Sequence, residues 1–153
     1  MPHHVQLTKE STMLDLKTAN TIVNHIIDAA SKRSDLKPMT AVVVDAGGAV
    51  IASQRQDGSS PIRVDLAKGK ANGAVIMGLS SRKLGERAEQ QAYFIQAMNA
   101  LCNGSLVPVA GGVLVRDDSG AIIGAVGVTG DTSDNDEELA IAAIQAAGLT
   151  ADA

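Results

Sequence analysis

Three groups of residues in this chain have the types and spacing to do chemistry. The first is Thr129-Gly130-Asp131-Thr132-Ser133-Asp134-Asn135-Asp136-Glu137-Glu138, which passes from a strand into the start of a helix. Its hydroxyls and acids suit the capping of unpaired helical N–H groups, and carboxylates are favoured at the positive end of a helix. Asp134 with Glu137 has the spacing of a capping box. Glu137 also fits a second role. At about 100° per residue it shares a face with Ile141 and Ile144, so it can point into a cavity as a general acid or base.

The second group is cationic. Lys70 falls at the edge of the apolar face of a helix predicted over residues 62–77. It either snorkels to water or stands at a pocket rim, paired with Glu137 or a ligand carboxylate. Arg55, at the end of a predicted strand, adds a planar donor. The third group is the glycine pair in Pro108-Val109-Ala110-Gly111-Gly112-Val113. Paired glycines in a strand mark a bulge or a close approach. Either a ligand meets the main-chain N–H groups of Gly111 and Gly112, or a thin helix packs there.

One acid, one cation and main-chain donors suit a cofactor-free enzyme acting on a small carboxylated metabolite by hydrolysis, deamination or isomerisation. Glu137 would be the acid or base and Lys70 the holder of the anion. The chain has no Walker loop, nucleophile elbow, His-x-x-x-His or Cys-x-x-Cys motif. His3 and His4 lie in the N-terminal lead, and His25 falls opposite the apolar stripe of its helix, so all three read as surface residues. No metal site is expected. The lone Cys102 allows no internal disulfide and reads as a small hydrophobe.

The elements that position these residues follow from composition and pattern. The 153 residues are 45% hydrophobic but only 1% aromatic, with 15 glycines. That is the size of one domain, with an aliphatic, alanine-rich core and close backbone packing. A net charge of −4 argues against a nucleic-acid partner, and Tyr93 and Phe94 leave almost nothing for bases to stack on. These two aromatics are either core anchors or part of a pocket rim or subunit contact. No secretory signal or membrane span is read, so a cytoplasmic protein is expected.

Residues 1–13 read as a flexible lead, and 14–153 as a single domain. A helix, capped by Asp15 or Thr12, runs to Lys32. Strands follow over 39–46 and 49–56, joined at Gly47-Gly48. The helix 62–77 comes next, then two short helical pieces over 82–90 and 93–101. Strands over 106–116 and 121–129 join at Asp117-Asp118-Ser119-Gly120. A last helix ends at Gly148. Tightly joined neighbours are antiparallel, which gives an α+β fold.

Four blocks carry a family resemblance. They are Met39–Gly48, Asp65-Leu66-Ala67-Lys68-Gly69-Lys70-Ala71, Gly111–Arg116, and Ile123–Asp131 with Asp134-Asn135-Asp136-Glu137 behind it. In this order the chain resembles the GlcG/HbpS family over residues 14–148. The resemblance implies a profilin-like fold, an antiparallel β-sheet flanked by α-helices, assembled into homo-oligomers. It implies a small-ligand pocket, with haem or a related tetrapyrrole as the ligand class the family is labelled for. Asp45, Lys70, Gly111, Gly112, Asp136 and Glu137 are the matched motif positions. With Arg55 and Asp131 they make up the expected site. Met39, Met77 and Met98 are the thioethers available as axial ligands, or else core fillers. Where the family continues with an acidic-to-small pattern, this chain has Glu138-Leu139.

Overall fold

A computed structural model describes residues 13–153. The expected lead, with Thr12, His3 and His4, lies outside the described residues except for Met13. Asp15 caps the first helix, α1 (Leu16–Ser31), by accepting the Thr18 N–H at 2.8 Å. The three-and-four spacing of its apolar residues buries Ala19, Ile22, Val23, Ile26 and Ala30 on one face. Each of the larger aliphatic side chains so buried stabilises the fold by about 1.5–3 kcal/mol.

Two hairpins follow the same local rule. Strands β1 (Thr40–Asp45) and β2 (Val50–Arg55) turn at Asp45-Ala46-Gly47-Gly48. Strands β3 (Gly112–Arg116) and β4 (Ile122–Thr129) turn at Asp117-Asp118-Ser119-Gly120. In each turn an aspartate Oδ1 accepts two main-chain N–H groups, from Gly47 and Ala49 or from Ser119 and Ala121. In each, the glycine in fourth place has a positive φ, +86° at Gly48 and +85° at Gly120. Only glycine takes that conformation without strain.

The sheet order is β2-β1-β4-β3-β5, every pair antiparallel. The edge strand β5 (Thr150–Asp152) was not expected from the sequence. Three residues carry too short a pattern to read. Val42 and Val44 face helix α2 (Ile62–Met77), while Ala41 and Val43 face α1 and helix α5 (Ser133–Ala146). Strand β1 is thus buried on both faces, as the run Ala41–Val44 predicts. Helices α3 (Ser81–Gln90) and α4 (Ala92–Leu101) form a satellite cluster around Leu84, Ile95 and Leu106.

The thinness of α2 is structural. A Cβ at Gly127 would strike the Ala67 carbonyl oxygen, and one at Gly112 the Lys70 carbonyl oxygen. Gly69 and Gly73 admit Val107 and Leu106. This explains why the strand expected over 106–116 starts only at Gly112. Residues 106–111 leave the sheet to pack on α2, with the Val107 N–H donating to the Gly69 carbonyl at 3.1 Å. Pro108 has no N–H to give a ladder, and Gly111 at φ +128° ends the extended run.

Candidate functional site

The strand ends place most of the expected residues. Thr40 pairs with Arg55 on one side and Thr129 on the other, so Arg55, Thr129 and the following Asp131 gather at one end of the sheet. Lys70 reaches the same end from α2. Its Nζ donates to the Val128 carbonyl at 3.0 Å and to Asp136 Oδ2 at 3.2 Å. Both side chains of this ion pair are almost fully buried. Burial pushes the Lys70 ammonium below its ordinary range and the Asp136 carboxyl above its own, and each is partly restored by the other. Asp136 Oδ1 accepts the Asp131 N–H at 3.0 Å, so the pair also holds the loop that follows β4.

Of the readings open for Lys70, snorkelling to water or standing at a pocket rim with Glu137 or a ligand carboxylate, none is the arrangement found, since its partner is Asp136. The buried face of α5 comprises Asp136, Leu139, Ala140, Ala143 and Ile144, so Asp136 is the acid at its head. Ile141 is only half-buried. Glu137 lies at the flank and accepts Arg82 Nε at 2.9 Å, and the same guanidinium holds Asp134. Nor is the α5 N-terminus closed by the expected box. Thr132 is the cap, accepting the Asn135 N–H at 3.2 Å.

Asp131 accepts the Lys37 N–H at 3.1 Å and the Asn135 side-chain amide at 2.7 Å. The Asn135 bond and the N–H groups of Thr132 and Lys37 hold its carboxyl down to about 2. The glycine pair serves packing. Gly112 donates its N–H to Ser81 Oγ at 2.6 Å, and a Cβ at Gly111 would press on Lys70 Nζ. Arg55 is exposed and donates to the Ser59 carbonyl. Asp45 sits at the opposite end of β1, engaged in its hairpin.

Sequence reasoning missed Arg63, whose Nη1 donates to Thr129 Oγ1 at 2.9 Å, and Arg82. It also missed Met13, which is 78% exposed and lines an open groove of about 470 Å3 with Asp45, Ala46, Gly47, Ala121, Ile122 and Ile123. That volume is in the range of small-molecule sites, and the lining is mainly apolar. A single methionine beside a segment without periodicity gives no sequence signal. Tyr93 is 71% exposed, while Phe94 is half-buried with the Arg87 guanidinium 4.1 Å from its ring centre. Among the described residues no helix is long and apolar enough to cross a membrane.

A family model described as haem degrading protein, HbpS-like, matches residues 14–145. Among solved structures, a haem complex of PduOC superposes with a TM-score of 0.81 at 22% identity, covering 93% of this chain and all of that one. A double mutant of HbpS from Streptomyces reticuli gives 0.74 at 27% identity, covering 95% of this chain and 94% of that one. The ORFY protein of Klebsiella pneumoniae gives 0.78 at 24% identity, with 93% and 97% covered. No curated protein sequence matches the chain.

Proposed function

The chain belongs to the HbpS-like family of haem degrading proteins, and from that premise we propose that it is a small-ligand-binding protein whose ligand is haem or a related tetrapyrrole. The observation that carries this reading is the apolar groove with an exposed thioether at its edge. Haem iron takes His, Cys, Met or Tyr as protein ligand. Met39 is fully buried, and Met77, Met98 and Cys102 pack in the α3–α4 cluster. His25 keeps its Nδ1 buried, without a hydrogen-bond partner. Met13 is exposed on the groove, so its donor chemistry fits the group.

In this reading Met13 would hold the iron, while Ala46, Ile122 and Ile123 would offer apolar surface to the ring and exclude water from it. Bound haem supplies a redox-active iron. The two hairpin turns keep the groove in shape, because each is fixed by its own aspartate. Assembly into homo-oligomers is part of the proposal; a monomer by light scattering at micromolar concentration would count against it.

The alternative of a cofactor-free acid–base enzyme is not favoured. Lys70 is 4% exposed and already bonded to Asp136, so it cannot hold a substrate anion. Glu137 is engaged by Arg82.

Titration with haem, followed in the Soret region, tests the proposal. The expected result is a band shift that saturates at stoichiometric haem, with affinity falling about tenfold or more in Met13→Ala. An unshifted band at stoichiometric haem would overturn it. An unchanged spectrum and affinity in Met13→Ala would remove Met13 as the ligand.

A further inference from the structure

The Thr40–Thr129 end of the sheet carries a second cleft, of about 230 Å3, lined by Lys37, Ser59, Ser60, Arg63 and Gly130 among others. It is separated from the Met13 groove by the length of β1, roughly 17–20 Å. We propose that this cleft binds the oxyanion head group, carboxylate or phosphate, of a small metabolite.

Charge is the first argument. Lys37 and Arg63 flank the cleft, and among the described residues neither is ion-paired with a side chain. Asp65, in the same turn of α2 as Arg63, lines a different cleft with Lys68 and Asn103. Asp131, the nearby acid, is engaged by Asn135 and the Lys37 main chain.

Preorganisation is the second. One N–H of the Arg63 guanidinium is fixed on Thr129 Oγ1, and Thr129 is only 2% exposed. A guanidinium has five N–H donors, so the fork stays open for planar oxyanion recognition. Ser60, an exposed residue, lines the same cleft. Gly130 closes the other wall without a side chain, since a Cβ there would strike the Pro38 carbonyl oxygen. The volume is below that of a drug-sized site and suits one head group.

The test titrates inorganic phosphate and acetate separately into the 15N-labelled full chain at low salt. Saturable amide shifts at Gly58, Ser59, Ser60 and Gly130 are expected, with a millimolar Kd. Arg63→Ala should weaken binding about tenfold or more, and Lys37→Ala severalfold. If Arg63→Ala does not fold, Arg63→Gln keeps a donor for Thr129 while removing the charge. Stronger binding of phosphate assigns a phosphate ligand, and stronger binding of acetate a carboxylate. No saturable shift with either probe, or affinity unchanged when the Arg63 charge is removed, overturns the proposal. The haem titration is unaffected by either result, because the two sites lie at opposite ends of β1.

Discussion

Lys70 Nζ lies 3.2 Å from Asp136 Oδ2, although the two residues stand on helices packed against opposite faces of the sheet. The pair joins both helical layers past the end of β4, where the Val128 carbonyl is a second acceptor for the ammonium. It is a clamp between layers and not a reactive pair open to substrate.

Breaking this clamp from one side leaves a buried charge without its partner. Lys70→Met and Asp136→Asn are each expected to cost about 3–5 kcal/mol in urea denaturation. The double variant Lys70→Met/Asp136→Leu should lose less than the two single losses added together, because no lone charge remains buried. Single losses below about 1 kcal/mol would show that the pair does not clamp the layers.

Acid should loosen the loop after β4. The Asp131 carboxyl is held down to about 2 from an ordinary value of 3.8. Between these values the unfolded state binds more protons than the folded one, so stability falls as the pH drops through that window. An NMR titration of Asp131 should show its midpoint near the lower value. Asp131→Asn should flatten this part of the acid limb, and an unchanged limb would assign it to other carboxylates.

Gly127 should tolerate no side chain. In Gly127→Ala the new methyl meets the Ala67 carbonyl of α2, and neither backbone can yield cheaply. A loss of about 1–3 kcal/mol or more is expected in thermal or chemical unfolding. Gly78 is the control. It caps α2 in the left-handed region with nothing near its Cβ position, so Gly78→Asn should stay within about 1 kcal/mol.

The Arg82 bridge should matter far less. Its side chain is 41% exposed, and it pairs with the exposed Asp134 and with the half-buried Glu137. Arg82→Ala is expected to cost below about 1 kcal/mol, a difference that shrinks further in high salt. A larger loss, insensitive to salt, would make this bridge a structural partner of the Lys70 clamp.

The sequence was sufficient for much of the architecture because the relevant signals are local. The spacing of Ile22, Val23 and Ile26 sets the buried face of α1, and Asp15 caps it by a contact three residues away. Each hairpin turn is written in four consecutive residues. The scarcity of aromatics and the glycines of α2 and β4 foretold close packing, which Gly69, Gly73 and Gly127 provide.

The site was less legible. Lys70 stands out in the sequence, but the acid its pattern offers as one possible partner, Glu137, is one residue away from the actual one, because Ile141 and Ile144 outweigh the smaller Ala140 and Ala143 in choosing the buried face of α5. On a helix one residue is a rotation of about 100°, enough to exchange the carboxylate that meets Lys70 for one at the flank that meets Arg82. Which of two adjacent acids meets Lys70, how Arg63 and Lys37 come to flank one cleft, and where Met13 lies relative to the hairpins depend on contacts between residues far apart in the chain. Local patterns fix the elements and their apolar faces. Only packing sets the rotation and register with which those elements meet, and so decides which polar groups share a site.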